Sequence, residues 1–476
     1  MDALTKSKTR EIIDDFANEI NERKDVGPKP STEVIFFRSE HIDNKERPVY
    51  KVPIELLRYR KDNGRISSDV ESYEKLVEPL LERSEKAQKI VKEFLSNKDL
   101  EKTNELVNSI RHSTQQKPAI ITCDGFLING NRRKLAIERL YDETKDEKYR
   151  WMKVVILPGK NDPGGPPTLY EIEEVENRYQ LQSEGKAEYY NFDRAISIRR
   201  KINLGMSIEA QLRDDPNYAK LPASEFKKVV KKHEEEFIEP LTCIDAYLKH
   251  FSRDGIYSTI SEGIADREGR WQAFLDYYKY VEKKLVDENK RIQDLKIKES
   301  EVGIVRDIAF KIIRKRDLSS EKSGLPKVHK LMRDFSKYLV NPESKKALFE
   351  LKNIDIHLTK DECVRDGKEV SEREKDLIWG AKNATTIIRQ VKKAKQVIDY
   401  INEREEPLSL LEAALDKLQH ENLLPENIRL EDVSKALKLA KEIKDTAHGL
   451  ESEFWHIEQE NKRKINELKG KHSNEN

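Results

Sequence analysis

The amino-acid sequence predicts an α+β protein that is mostly helical, and three observations lead to this fold class. Short β-type runs occur before about residue 160, and from Phe192 onward apolar residues recur at helical spacing. Charged residues make up 38% of the chain and hydrophobic residues 36%, with a mean hydropathy of -0.82. This composition fits long helices with narrow apolar stripes better than it fits thick sheets.

The length of the chain also predicts more than one domain. With roughly 150 residues per domain, 476 residues correspond to about three domains. Breaks in the pattern predict an N-terminal helix or arm over residues 1–30, an α+β domain over 31–185, a helical domain over 186–255, a second helical domain over 256–374, and a C-terminal helical hairpin or bundle over 375–476.

Charge is nearly balanced, because 90 basic and 89 acidic side chains leave a net charge of +1. No global field therefore attracts nucleic acid, and any DNA contact must come from a local basic patch. The three cysteines, Cys123, Cys243 and Cys363, are far apart in sequence and indicate neither a disulfide framework nor a zinc ribbon. No apolar run approaches the ~18 residues that cross a bilayer, and the N-terminus lacks a signal-peptide core. We therefore expect a soluble, cytoplasmic protein without a membrane partner.

The first elements of the α+β domain precede a basic loop. Val34–Phe37 and Val49–Val52 are β-type runs and predict strands. Pro53–Arg65 is a turn-rich basic loop. A capping-box pattern at Ser68 predicts the start of a helix that continues to about residue 95.

The most informative stretch of the sequence is Ile120–Leu140. Two short apolar runs flank Asp124-Gly125, a dipeptide that supplies the positive φ angles of a tight turn and so predicts a β-hairpin. Directly after it, Gly130-Asn131-Arg132-Arg133 opens a segment with helical spacing. The helix dipole disfavours cations there, and a phosphate bound to the free backbone N–H groups and both guanidinium groups would resolve the conflict. An exposed basic turn fits the spacing equally well.

A second group of candidate residues follows a predicted strand at Met152–Leu157 and a loop at Pro158–Pro167. Thr168 and Glu171 have capping-box spacing and predict a helix that carries Glu176-Asn177. Beyond it, three helices within about fifty residues suit a helix-turn-helix-like DNA-binding module. A solvated basic face on a structural bundle is the alternative. The lysines that would face DNA are Lys227, Lys228, Lys231 and Lys232.

The C-terminal half offers a basic zone and a heptad-like pattern. The partner of the basic zone at residues 311–338 is either phosphate or the neighbouring acidic side chains. Heptad spacing then begins at about residue 375, with apolar positions at Ile387, Val391, Ala394, Ile398 and Ile401. This end is suited to self-association as a helical hairpin, and an intramolecular bundle would give the same pattern.

In chain order, these segments resemble the N-terminal domain of the ParB family of partition proteins, which shares its fold with sulfiredoxin. The likeness covers roughly residues 34–215 and includes three boxes together with the helix and strand at Asn104–Ile120. Box 1 is Pro53–Arg65, box 2 is Gly130–Ala136 and is the most diagnostic, and box 3 is Glu171–Gln180. Ile202–Leu212 is similar to the start of the family's helix-turn-helix domain. The resemblance implies a ParB/sulfiredoxin-like nucleotide-binding domain over residues 31–185.

In this family the N-terminal domain binds a nucleoside triphosphate with Mg²⁺, and CTP is the nucleotide of the partition proteins. By position, the resemblance assigns Glu176 and Asn177 to the metal, and it leaves the choice between CTP and ATP open. Family members couple nucleotide binding to clamp-like dimerisation on DNA, which implies a homodimer associated with the nucleoid. The residues assigned to the phosphates are Arg65, Gly130, Asn131, Arg132 and Arg133.

Three functions are compatible with this pattern. The leading hypothesis is a nucleotide-gated DNA-binding clamp or adaptor that acts in DNA partition, in regulation, or in a mobile-element or defence setting. Under this hypothesis the protein either only binds CTP or ATP or also hydrolyses it slowly. The second is an enzyme of the same fold, a nuclease or a phosphotransferase, although the sequence offers little in the way of a general base. The third is a protein-interaction scaffold with a degenerate pocket, which the near-zero net charge allows.

Overall fold

The computed structural model describes residues 8–29, 31–38, 46–98, 100–181, 190–215, 217–218, 220–261, 264–318, 324–365 and 367–472. Helix accounts for 67% of it, and the strands form a small mixed sheet, so the prediction of a mostly helical α+β protein is confirmed. The chain divides into two compact units, Met1–Ile398 and Asp399–Asn476, and the finer domain boundaries within the first unit stay predictions. None of the helices in the described ranges is both long and apolar enough to cross a membrane.

Five strands of the first unit form one sheet in the spatial order β1-β2-β5-β3-β4. β3 runs parallel to β5, and the other neighbouring pairs are antiparallel. The strands are β1 Ser31–Val34, β2 Glu46–Pro53, β3 Ala119–Ile121, β4 Leu127–Asn129 and β5 Trp151–Ile156.

The first strand begins earlier than the sequence predicts. The sequence predicts a strand at Val34–Phe37, whereas the ladder with β2 uses Ser31–Val34. Ile35 and Phe37 leave the ladder and are buried in a core cluster beside the sheet. Their apolar character therefore reflects burial in that core and not strand pairing.

Helices cover both faces of this sheet. Ala119 and Ile121 of β3 belong to a core shared with α3, α4 and α5, whereas Ile120 between them belongs to a core shared with α6. Because successive side chains of a strand point to opposite faces, this alternation sets α5 and α6 on opposite sides of the sheet. These helices are α1 Asp14–Arg23, α2 Ser67–Leu76, α3 Glu85–Asn97, α4 Leu100–Ser113, α5 Asn131–Thr144 and α6 Leu169–Leu181.

Two helix starts that the sequence predicts from capping boxes differ in outcome. The prediction at Thr168 is confirmed, since the N–H of Glu171 donates to Thr168 Oγ1 at 3.1 Å and the N–H of Thr168 donates to Glu171 Oε2 at 2.8 Å. The prediction at Ser68 is wrong, because its hydroxyl donates to Asp193 at 2.6 Å and does not cap α2. Ser68 therefore bonds to a buried side chain that is distant in the sequence, and not to the backbone of its own helix.

The described residues from Asn191 to the end of the first unit are mostly helical, and most of their buried apolar side chains, from Phe192 to Ala394, form one large core. π-helical turns at Glu234–Ile238 and Tyr278–Glu282 continue the helices Ala223–His233 and Ile264–Tyr277. The helices are α7 Asn191–Asn203, α8 Ile208–Arg213, α9 Ala223–His233, α10 Glu239–His250, α11 Ser258–Ser261, α12 Ile264–Tyr277, α13 Lys283–Leu285, α14 Glu288–Asp294, α15 Val302–Lys315, α16 Val328–Val340, α17 Pro342–Phe349 and α18 Glu372–Lys382, and a hairpin of β6 Val364–Arg365 and β7 Lys368–Glu369 precedes α18. Short 3-10 turns lie at Ile54–Leu56, Glu147–Arg150, Glu299–Glu301, Glu350–Asn353 and Asp361–Cys363.

Two arginines of the basic zone at residues 311–338 form ion pairs with acidic side chains of the same unit. Arg314 Nε donates to the fully buried Asp376 at 2.8 Å, and Arg253 Nη1 donates to the same carboxylate at 2.5 Å. Arg333 Nε donates to Asp276 at 2.8 Å. Acidic side chains of the chain therefore pair with Arg314 and Arg333 of this zone.

The C-terminal helices are α19 Ala384–Leu418 and α20 Val433–His472, with 3-10 turns at Glu421–Leu423, Pro425–Asn427 and Leu430–Asp432 between them. Ile387, Val391 and Ala394 at the start of α19 are buried in the large core of the first unit. This part of the predicted heptad pattern thus serves packing within the chain. In the second unit, α20 leaves large apolar side chains exposed, among them Ile443, Leu450, Phe454 and Ile457.

Candidate functional site

Box 1 is fixed to the hairpin that precedes box 2. The N–H of Arg58 donates to the carbonyl of Gly125 at 2.8 Å, and the N–H of Leu127 donates to the carbonyl of Arg58 at 2.9 Å. Gly125 adopts a φ of +85°, and a Cβ there would lie 2.5 Å from the Leu56 carbonyl oxygen. The turn predicted at Asp124-Gly125 is confirmed, and the close approach of box 1 requires its glycine.

A second set of contacts joins box 1 to α5. Lys134 Nζ lies 4.1 Å from the centre of the Tyr59 ring, and the Tyr59 hydroxyl donates to Glu138 Oε2 at 2.7 Å. Lys134 also forms an ion pair with Glu138. Burial raises the pKa of Tyr59, so the phenol remains a donor. Boxes 1 and 2 therefore lie side by side.

Box 1 also contacts box 3 through a buried cluster of charges. Arg60 Nη2 donates to Glu173 Oε1 at 2.6 Å and to Glu176 Oε2 at 3.2 Å. The N–H of Gly64 donates to Glu176 Oε1 at 3.3 Å. From α7, Arg200 Nη2 donates to Glu173 Oε2 at 2.9 Å. We call Arg60, Glu173, Glu176 and Arg200 the ion cluster; it joins boxes 1 and 3 to the first helix of the helical region.

The two carboxyl groups of the ion cluster differ in their electrostatics. Burial raises the pKa of Glu176, and the neighbouring charge of Glu173 raises it further. Burial also raises the pKa of Glu173, but the charges of Arg200 and Arg60 outweigh it and lower that pKa overall. Two buried acids, the buried Arg60 and the half-buried Arg200 thus share one site, in which Glu173 is the more firmly ionised carboxylate.

Box 2 begins α5 with a glycine that no other residue can replace without strain. Gly130 adopts a φ of +103°, and a Cβ at this position would lie 2.6 Å from the Cβ of Ala119. The residue that caps α5 makes no side-chain capping bond, and the first turn contains no acidic residue. The N-terminal N–H groups of this helix therefore receive no acidic or capping side chain from its own first turn.

The polar side chains of box 2 differ in the hydrogen bonds they make. Arg133 Nη1 donates to the carbonyl of Pro118 at 2.8 Å, and its Nη2 donates to Asn129 Oδ1 at 3.1 Å. Burial lowers the pKa of Arg133 to about 10. Asn131 is 5% exposed, and its Oδ1 has no hydrogen-bond partner within the described part of the chain. Arg132 lies beside them and is half-buried.

Arg65 lies at the end of box 1, next to the residues that contact box 3. It is half-buried, and its backbone N–H donates to Asn63 Oδ1 at 2.9 Å. One residue earlier, the N–H of Gly64 reaches Glu176. The structure thus brings the Arg65 loop to box 3 and brings the preceding part of box 1 to box 2.

The two residues assigned to magnesium already have protein partners. Asn177 Oδ1 accepts from Lys201 Nζ at 3.1 Å, and Asn177 Nδ2 donates to the carbonyl of Gln211 at 3.0 Å. The Glu176 carboxylate accepts from Arg60 and Gly64. Among the described residues, no group of three or more His, Cys, Asp or Glu side chains is placed to hold a metal. In this arrangement Glu176 and Asn177 do not fit a magnesium ion, because cations of the chain already contact their oxygen atoms.

The four lysines predicted to face DNA lie on the exposed side of α9. The opposite side of this helix buries Phe226 and His233, and Phe226 packs with Ile208 and Leu212 of α8 in a small separate core. Lys232 Nζ lies 3.9 Å from Glu236. The basic face is therefore solvated in the free chain, as both interpretations of these lysines require.

Sequence reasoning missed Arg60, Glu173, Arg200 and Lys201. Glu173 offered one signal, because it lies three residues before Glu176 and so shares a face of α6 with it. The sequence offered no such signal for Arg200 and Lys201 of α7. The residues that they contact lie on α6, 27 and 24 positions earlier in the chain.

Comparison with known proteins gives no family to which the chain can be assigned: no family model, no curated protein and no solved structure matches it.

Proposed function

We propose that this protein binds a nucleoside triphosphate, CTP or ATP, with its phosphates at the start of α5, and that it acts as a nucleotide-responsive DNA-binding clamp or adaptor. The observation that carries the proposal is the N-terminus of α5. It has no side-chain cap and no acidic residue in its first turn, and that turn contains Arg132 and Arg133. An anion is the partner that satisfies such a terminus.

The neighbouring side chains support an anionic ligand. Burial lowers the pKa of Arg133, and its described hydrogen bonds go to carbonyl and amide oxygens. A phosphate nearby would favour the charged guanidinium. The buried Oδ1 of Asn131 is an acceptor without a partner in the described residues, so a ligand hydroxyl or amino group would satisfy it.

In this proposal Mg²⁺ binds together with the nucleotide. Mg²⁺ keeps several waters and is commonly bound by substrate phosphates with only one or two carboxylates. Glu176 and Asn177 would be available to it only after Arg60 and Lys201 released them. Binding should therefore be measured with and without Mg²⁺.

DNA and a second copy of the chain are the partners in this proposal. The exposed lysines of α9 supply a local basic patch on a chain with a net charge of only +1. We infer that the ion cluster couples the nucleotide to this patch. The cluster joins boxes 1 and 3 to α7, and α7 precedes α8 and α9 in the chain. The exposed apolar residues of α20 supply a surface for a homodimer.

Thermal unfolding against a nucleotide panel tests the proposal. The full chain is heated with CTP, ATP, GTP or UTP, each with and without Mg²⁺ and with and without duplex DNA. A ligand at about 100 times its Kd stabilises the folded protein by about 2.7 kcal/mol, so CTP or ATP should raise the melting temperature. Arg132→Ala should remove this shift. Arg139→Ala removes an exposed arginine from the same helix and should preserve it.

The same experiment separates the other functions. No shift with any nucleotide contradicts the proposal and favours a protein-interaction scaffold. An equal shift in Arg132→Ala contradicts binding of the phosphates at the start of α5. Multiple-turnover release of phosphate or of DNA fragments favours an enzyme, whereas one slow turnover per binding event fits a switch with weak NTPase activity.

A further inference from the structure

A small pocket that opens to solvent lies among α7, α8, α9 and the end of α6. It is separate from box 2 and shares only Asn177 with the residues predicted from the sequence. Ile208 and Leu212 of α8 form part of an apolar wall. Three of the polar residues of the lining, Arg194, Ser197 and Lys201, come from α7 and form its polar wall.

The polar wall is made by one face of α7. Arg194, Ser197 and Lys201 are spaced by three and four residues, so they project from the same side of the helix into the pocket. None of the described residues that line the pocket is acidic, whereas two of them, Arg194 and Lys201, are cationic. The lining therefore carries positive charge without a carboxylate of its own.

Ser197 gives the pocket an unsatisfied polar group. Its side chain is 2% exposed, and its Oγ has no hydrogen-bond partner within the described residues. Buried hydroxyl groups are nearly always hydrogen-bonded in folded proteins. A ligand oxygen at this position would supply the missing partner.

Each of the two cations of the wall contacts a neutral group of the chain. Burial lowers the pKa of Lys201 to about 8, although the charges of Glu176 and Glu173 act in the opposite direction. Lys201 Nζ donates to the neutral amide of Asn177 at 3.1 Å. Arg194 Nη2 lies 3.4 Å from His233 Nε2. Burial lowers the pKa of His233 to about 4, so this imidazole is neutral at pH 7 and accepts from Arg194.

We propose that this pocket binds a phosphate group, held by Arg194, Lys201 and the hydroxyl of Ser197. An arginine, a lysine and a hydroxyl are suitable donors for phosphate oxygens, and the partial burial of the site strengthens such charge-assisted bonds. The phosphate belongs either to free inorganic phosphate or to a small phosphomonoester. This inference does not depend on nucleotide binding at box 2.

The probe is inorganic phosphate, titrated calorimetrically into the full chain in a phosphate-free buffer at pH 7. We expect saturable binding that Arg194→Gln and Lys201→Met each weaken by about tenfold or more. Lys220→Met removes an exposed lysine between α8 and α9 and should leave the affinity unchanged.

Ser197→Ala is the variant that keeps the test valid if the charge substitutions impair folding. It removes a buried hydroxyl that has no described partner, so the melting temperature should stay the same or rise. Phosphate affinity should nevertheless fall several-fold. A serine that does not contact the ligand would leave the phosphate affinity unchanged.

Three outcomes would overturn the proposal: no saturable phosphate binding, binding that Arg132→Ala removes while all three pocket variants retain it, or acetate binding as tightly as phosphate. Titration with CMP identifies the source of the phosphate. Tighter binding of CMP that Ser197→Ala weakens identifies a phosphomonoester, and weaker binding of CMP identifies free phosphate.

Discussion

Arg60 Nη2 lies 2.6 Å from Glu173 Oε1, and both side chains are at most 4% exposed. This ion pair joins the loop of box 1 to α6, although the two residues are 113 positions apart. Arg60 also contacts Glu176, and Arg200 contacts Glu173 from α7. Three parts of the chain therefore meet at one set of buried charges, each of which depends on the others for its compensation.

Glu173→Gln should destabilise the fold, because it leaves Arg60 and Arg200 with one buried carboxylate between them. Breaking a buried pair typically costs 3–5 kcal/mol, and we expect about 3 kcal/mol because Glu176 remains. The measurement is the free energy of unfolding in urea. Glu143→Gln is the matched control, since Glu143 pairs with Arg111 and Arg139 on the exposed surface and should cost about 0.2–1 kcal/mol. Equal losses in the two variants would contradict this account of the cluster.

Gly130→Ala should destabilise the start of α5 for two reasons. The residue has a φ of +103°, and its new Cβ would lie 2.6 Å from the Cβ of Ala119. Strain of the backbone and overpacking together should cost about 2–4 kcal/mol. Gly165→Ala separates the two contributions, because Gly165 has a φ of +65° and nothing within 4 Å of a built Cβ. If both variants lose the same stability in a thermal melt, the contact with Ala119 contributes nothing.

Acid should weaken the helical region through His233. Burial, followed by the charge of Arg194, lowers its pKa from 6.5 to about 4. Between these values the folded chain keeps the ring neutral while the unfolded chain protonates it. This contribution to stability is therefore complete above about pH 6.5 and is lost as the pH falls towards 4.

Urea unfolding at several pH values from 4 to 7 measures this effect. The free energy of unfolding should fall less steeply with acid in His233→Gln than in the original chain. His112→Gln, a substitution of an exposed histidine, should keep the original slope. An unchanged slope in His233→Gln would show that other groups account for the acid sensitivity.

The exposed stripe of α20 should support a homodimer. Ile443, Ala447, Leu450, Phe454 and Ile457 follow steps of four and three residues, which is the spacing of a coiled-coil seam, and the four large ones are 37–54% exposed in the single chain. Light scattering after size exclusion should give a mass of twice 55.7 kDa. Leu450→Glu should shift the protein to a monomer by placing a charge in the seam.

Ser452→Glu is the matched control for that experiment. It adds the same charge to α20 two residues from Leu450, on the side opposite the seam, and should preserve the dimer. A monomeric mass for the original chain, or dissociation by both variants alike, would argue against a dimer through α20.

Local chemistry explains what the sequence by itself determined. The mostly helical fold class, the hairpin at Asp124-Gly125 and the helix start at Thr168 all depend on residues within a few positions of one another. Turn residues, caps and apolar periodicity act over such short distances. For the same reason the sequence marked Gly130 as the beginning of α5.

Only the tertiary structure decided which charged side chains compensate one another. Arg60 donates to Glu173, and Lys201 donates to the amide oxygen of Asn177. The heptad residues Ile387 and Val391 are likewise buried within their own unit. A local pattern specifies which face of a helix is polar or apolar, but not which distant element covers that face. The ion cluster and the pocket at Ser197 arise from packing between helices that are far apart in the sequence, because buried charges and hydroxyl groups need partners that the folded chain brings to them.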